Sequence, residues 1–225
     1  MRLTVTLFLS MLMVCCPILA QRNSVLVQKM VDMGYLNLKE LDPTLVVDLM
    51  YSRADNFTGV VLYTNLTEAY LYPTAAKAVV KAQEALHKLH PDYNLKICDA
   101  SRPMSVQKKM YDVVRGTPQN IYVSNPANGG GLHNYGMAVD VTIVDKNGKE
   151  LDMGTTVDHL GKEAHINTET AMVQAGTITA QAKKNRELLR RVMREAGFKP
   201  LQSEWWHFNF VTRAEAKAKY KVLDF

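Results

Sequence analysis

Cysteine is nearly absent. The chain has 225 residues and three cysteines, Cys15, Cys16 and Cys98. Two of them fall in the first twenty residues, so no disulfide framework can hold the remainder together. The apolar neighbours Leu95 and Ile97 mark Cys98 as a buried core thiol rather than a nucleophile. Blocks of like charge are absent too. The formal net charge of +5 is spread along the chain, as on a solvated surface, and nucleic-acid binding is not indicated. No internal repeat and no low-complexity linker is found, which excludes a solenoid and leaves no domain boundary. What is present in quantity is apolar residues, 47% of the chain, enough to bury one core without covalent staples.

Long apolar runs are confined to the N-terminus. Met1-Arg2 precedes a run from Leu3 to Ala20 without a charge, and Gln21-Arg22-Asn23 is polar. That order is the pattern of a secretory signal peptide cut after Ala20, although Ile18 is bulky for its position. The expected organisation is a signal peptide over 1–20 and one domain over 21–225, placed in the periplasm or otherwise outside the cytoplasm. An uncleaved membrane anchor is the competing reading. A lipidated cysteine fits less well, because Val14 and Cys15 stand where a small residue is expected.

Periodicity supplies the elements. Strands are predicted over 45–51, 94–101, 138–144 and 204–211. Helices are predicted over 74–89, from Pro103 to a stop at Gly116, and over 181–196 with Gly197 as its cap. The Pro-, Asn- and Gly-rich stretch 117–131 reads as a long loop. Strands and helices without regular alternation indicate α+β.

The two tryptophans are adjacent, in Ser203-Glu204-Trp205-Trp206-His207-Phe208. A second segment, Gly131-Leu132-His133-Asn134-Tyr135-Gly136-Met137-Ala138-Val139-Asp140, places a carboxylate between valines in a strand. A buried aspartate there is costly unless paired or bound to a metal. Together the segments offer two imidazoles, one carboxylate and a second carboxylate beside the last imidazole, the donors of a catalytic metal site. Each has an ordinary reading as well: a structural His133–Asp140 hydrogen bond, and an aromatic strand with an exposed Glu204 and a core His207. Glu204 and His207 face opposite ways in a regular strand, and reach one point only if Glu204 sits in the turn before it. A third segment, Asp99-Ala100-Ser101-Arg102-Pro103, reads either as an oxyanion-stabilising arginine at a strand end or as a surface Asp99–Arg102 salt bridge.

These segments resemble the D-alanyl-D-alanine dipeptidases, the VanX-like zinc peptidases, a branch of the zinc D,D-peptidases that share their fold with hedgehog signalling domains. Asp48-Leu49-Met50-Tyr51 with Asp55-Asn56-Phe57-Thr58-Gly59 is similar to an N-terminal family motif. Asp99 to Pro103 resembles its Asp-x-x-Arg-Pro, and His133 to Asp140 its His-x-x-Gly-x-Ala-x-Asp. Met153-Gly154-Thr155-Thr156-Val157-Asp158 resembles its Met-Gly-x-x-x-Asp. Gly197-Phe198 with Ser203 to His207 resembles the C-terminal block ending Glu-Trp-Trp-His. Five such blocks in order are strongly specific.

The resemblance implies a small central antiparallel sheet flanked by helices, and one zinc held by His133, Asp140 and His207. It implies Glu204 as the general base that activates water and then protonates the leaving amine. Arg102 is implied as the donor to the tetrahedral oxyanion, and Asp158 with the Tyr51 hydroxyl as the clamp for the ammonium of a small D-amino-acid dipeptide. The family's serine two residues before its first zinc histidine is replaced by Gly131. The amides of Gly129 to Gly131 are then expected to receive the substrate carboxylate. Ala100-Ser101 in place of the family's Gly-Tyr is expected to alter packing rather than chemistry. A D,D- or L,D-carboxypeptidase acting on peptidoglycan stems, and a non-catalytic zinc-binding domain, are the alternatives. Retention of both Glu204 and Arg102 argues against the second.

Overall fold

Alternating residues over 138–144 form the central strand of a five-stranded sheet in the computed structural model, which describes residues 25–225. The expected signal peptide, its cut site and both of its cysteines lie outside the described residues. Along the chain the described strands are β1 (Leu36–Asn37), β2 (Val46–Val47), β3 (Tyr70–Leu71), β4 (Asn94–Asp99), β5 (Ala138–Val144), β6 (Lys199–Leu201) and β7 (Glu204–Asn209). The large sheet runs β2-β4-β5-β7-β6, and β1 pairs with β3 in a small separate ladder.

Within the large sheet β4, β5, β7 and β6 pair antiparallel, as expected. The edge strand β2 runs parallel to β4 and makes the sheet mixed. A long connection containing a helix separates β2 from β4, and such crossovers are what parallel pairs require. The strand expected over 45–51 stops early. It ends in a tight turn, Met50–Ser52, that buries Tyr51.

The described helices are α1 (Val25–Asp32), α2 (Leu38–Leu41), α3 (Pro73–Leu89), α4 (Met104–Val114), α5 (Glu169–Gln174), α6 (Ala180–Glu195) and α7 (Arg213–Lys219). Pro73 opens α3, where its missing N–H costs nothing. Ala75, Val79, Ala82 and Leu86 form that helix's buried stripe at helical spacing. It packs against α6. The Thr179 side chain caps α6 by accepting from Ala182 N at 2.8 Å. Gly197, at φ +99°, ends it: Gly197 N donates to Arg194 O and Phe198 N to Met193 O, a left-handed glycine stop. Cys98 is a free, buried thiol whose pKa burial pushes well up, so it is held as an inert SH. Among the described residues no helix is long and apolar enough to cross a membrane.

Candidate metal centre and active site

Strand register assembles the site. His207 on β7 lies opposite Asp140 on β5. On the other side of β5, Asp99 lies opposite the same Asp140, after an irregularity between Ile97 and Asp99. That extra β4 residue re-aims the strand end, so Asp99, Asp140 and His207 form one row across three strands. His133 comes from the tight turn Leu132–Tyr135 before β5. Gly136 lets the chain fold back. Its φ is +64°, and a Cβ there would come within 2.2 Å of the Tyr35 ring. Conformation and space both demand glycine.

Three ligand-type atoms converge in the buried interior. His207 Nδ1 lies 2.9 Å from Asp140 Oδ1, His133 Nε2 lies 3.3 Å from Asp140 Oδ2, and the two ring nitrogens are 3.1 Å apart. The outer nitrogens decide the tautomers. His133 Nδ1 is 2.7 Å from the Ala100 carbonyl oxygen, which only accepts, so this nitrogen carries the proton. His207 Nε2 likewise meets Asn209 Oδ1 at 2.9 Å. Each imidazole therefore turns a lone pair inward, beside a carboxylate. Two lone pairs at that distance repel unless a cation lies between them, and outer hydrogen bonds of this kind orient metal-binding histidines. Ligands ~2.0–2.1 Å from a tetrahedral zinc stand about 3.3 Å from each other, close to the observed spacing. His133, Asp140 and His207 thus form a buried donor set that fits a metal ion.

Glu204 opens β7 directly after the two-residue turn at 202–203. The β6–β7 register breaks there, with Pro200 opposite Phe208 but Leu201 opposite Glu204. The break removes the strict alternation, so Glu204 Oε2 comes 4.0 Å from His207 Nδ1. Burial pushes the Glu204 carboxyl up to about 7; the Asp140 and Asp158 carboxylates add to the rise, while Arg102 opposes it. Trp206 lines the cavity above the site. Trp205 does not. It turns to the helix side, where its Nε1 donates to Thr155 Oγ1 at 2.8 Å and the Arg186 guanidinium lies over its ring.

Arg102 does form the Asp99 salt bridge that its spacing suggested. Its Nε donates to Asp99 Oδ2 at 2.8 Å, and its Nη2 makes a further contact to the same oxygen. The pair is buried rather than on the surface. Asp99 is itself fixed by the Tyr63 hydroxyl at 2.7 Å. So held, Nη2 stands 3.7 Å from Asp140 Oδ2, at the edge of the metal centre. Gln107 completes the clamp: Arg102 Nη1 donates to its Oε1 at 2.9 Å. Sequence reasoning missed Gln107, because a glutamine on an amphipathic helix carries no local sign that it is buried.

Asp158 lines the same cavity of about 390 Å³ as the three converging donors, Arg102 and Glu204. It is the one described non-glycine residue with positive φ, +67°, a conformation that stores strain and clusters at functional sites. Tyr51 OH donates to its Oδ1 at 3.1 Å. Its Oδ2 is sealed from solvent with no hydrogen-bond partner among the described residues. Burial pushes the Asp158 carboxyl up to about 7; Asp140 adds to the rise, while Arg102 and Tyr51 oppose it. Helix α6 anchors the loop that carries Asp158, as the buried Arg186 Nε donates to Met153 O at 2.6 Å.

Residues 31–223 match the peptidase M15 family, described as D-Ala-D-Ala dipeptidase. The chain belongs to this family. It is similar to the D-alanyl-D-alanine dipeptidase of Escherichia coli (strain K12), with 31% identity over 173 residues that cover 77% of this chain and 82% of that one. It is 25% identical to the D-alanyl-D-alanine dipeptidase of Enterococcus faecalis, over 79% of this chain and 92% of the relative. The solved structure of the LdcB LD-carboxypeptidase aligns with a TM-score of 0.40 and 21% identity, over 66% of this chain and 63% of LdcB.

One expectation for this M15 peptidase is corrected by the structure. Gly131 lines the cavity, but the glycine amides are not free to receive a carboxylate. Gly129 N donates to Pro126 O, Gly130 N to Asn125 O, and Gly131 N to Asn134 Oδ1 at 2.8 Å. The loop turns tightly on itself through Asn125 and Asn134, and that folding consumes the donors. At the other departure, Ala100 contributes its carbonyl to His133, and the buried Ser101 Oγ has no partner among the described residues.

Proposed function

We propose that this peptidase is a zinc-dependent dipeptidase of D-Ala-D-Ala, or of a close D-containing dipeptide, acting outside the cytoplasm. One observation carries the dipeptide reading: the sealed, unpartnered Oδ2 of Asp158 in the cavity that also holds the three metal donors. A buried carboxylate oxygen without a partner is costly, and a substrate ammonium supplies the missing one. His133, Asp140 and His207 would hold the zinc. Bound there, it would supply Lewis acidity to the scissile carbonyl and acidity to the attacking water. Glu204, beside His207, takes the water's proton and returns it to the leaving amine. Arg102, locked by Asp99 and Gln107, offers its remaining N–H groups to the charge that develops on the carbonyl oxygen. Trp206 limits water at the reacting bond. Tyr51, whose pKa burial raises well above its usual value, stays protonated and donates to Asp158.

A dipeptidase and a stem-trimming carboxypeptidase differ at the amine. Acetylating the amine of D-Ala-D-Ala removes its charge and leaves the buried Asp158 Oδ2 without a partner. Breaking such a pair costs about 3–5 kcal/mol, so kcat/KM is expected to fall by roughly 10²- to 10³-fold or more. The loss should shrink in Asp158→Ala. Equal rates on the free and acetylated substrates with the unmodified protein would favour the carboxypeptidase.

The residue order of 1–23 supports export, and a compartment outside the cytoplasm suits turnover of cell-wall peptides. Native protein from a cell-envelope fraction is expected to begin near Gln21 on N-terminal sequencing. An intact Met1 in the soluble cytoplasmic fraction would contradict export and leave the chemistry untouched.

A further inference from the structure

We propose that Ser124 supplies the hydroxyl that receives the substrate's C-terminal carboxylate, in space that Gly131 leaves open. The inference rests on the dipeptidase reading and names the residue for the end of the substrate opposite the ammonium. Gly131 has φ −107° and ψ −178°, extended backbone open to any residue. Gly129 and Gly130, at φ +82° and +67°, have a conformational reason to be glycine; Gly131 has none. What it lacks is a side chain, and another residue occupies that room. A Cβ at position 131 would lie 3.0 Å from Ser124 Oγ and 3.3 Å from Ser124 Cβ.

Ser124 and Gly131 line the same cavity as His133 and Glu204. Among the described residues Ser124 Oγ has no hydrogen-bond partner. Its backbone is fixed, because Gln107 Nε2 donates to Ser124 O at 2.8 Å. The same Gln107 accepts from Arg102, so one buried side chain sets the hydroxyl and the guanidinium in register. Arg213 also lines the cavity and donates to Asn128 O of this loop at 3.0 Å. A cation at this wall favours an anion, and with the three glycine amides engaged the hydroxyl is a donor left free for it. Asp158 attracts the positive end of the dipeptide, and Ser124 takes the negative end.

The test is kinetic, with D-Ala-D-Ala and D-alanyl-D-alaninamide, on the zinc-loaded wild type, Ser124→Ala, Gly131→Ser and the exchange Ser124→Gly/Gly131→Ser. Ser124→Ala is expected to lose roughly 10- to 100-fold in kcat/KM on the free acid, chiefly through KM, as for a hydrogen bond to a charged group. On the amide it should change by less than about threefold, because the charge is gone. Gly131→Ser alone crowds the Ser124 hydroxyl and loses activity. The exchange should recover most of the free-acid rate, since one hydroxyl again fills one space. An equal loss on both substrates, an unchanged Ser124→Ala, or an exchange no better than Ser124→Ala would overturn the assignment. A wild type inactive on D-Ala-D-Ala would instead overturn the dipeptidase reading, and this inference with it.

Discussion

Glu204→Gln is expected to retain its metal and to lose roughly 10²- to 10⁴-fold in kcat, the usual contribution of a general base. The substitution keeps the volume of a buried side chain, so folding should survive it. Glu204 stands outside the converging donor set: its Oε2 lies 4.0 Å from His207 Nδ1, whereas Asp140 Oδ1 lies 2.9 Å from that nitrogen. Its carboxyl, pushed by burial to about 7, is poised to accept a proton and give it back near neutral pH. An amide can do neither. Elemental analysis beside steady-state kinetics separates the roles. A variant with full metal and more than about a tenth of the wild-type kcat would remove Glu204 from the mechanism.

His133→Ala is expected to remove both metal and activity. Protein purified without added metal should carry about one equivalent of zinc, and the variant less than roughly a tenth, because two protein ligands rarely hold a catalytic zinc. The loss also reaches stability. His133 Nδ1 donates to the Ala100 carbonyl, and a metal that binds only the folded chain adds its binding free energy to folding. Zinc titrated into metal-free wild type should raise its Tm and leave the variant unmoved. A variant that keeps a full equivalent would show that the metal sits elsewhere.

Much of this site was legible because its parts are local. A carboxylate between valines, a glycine between His133 and Asp140, and Arg102 at a strand end are all visible without a fold. The long elements were legible for the same reason: β5, α3 and α6 carry enough residues to express a period of two or of 3.6. The four-residue α2 and the two-residue β1 and β3 do not, and they escaped. The edge strand β2 was read too long, because Tyr51 is apolar in the pattern yet buried from a turn.

By itself the sequence determined the α+β class from residue type and short spacing, and it named the donor set only through the resemblance of its ordered blocks to a family. Tertiary structure decided what those residues face. The registers of β4 on β5 and of β5 on β7 bring Asp99, Asp140 and His207 into one row, and the β6–β7 register break turns Glu204 to the side of His207. Only the folded loop reveals that its glycine amides are engaged and that Ser124 fills the room at Gly131. The physical reason is range. Periodicity and backbone preference act over a few residues, whereas register and the filling of space are set between segments that meet only after the chain has folded.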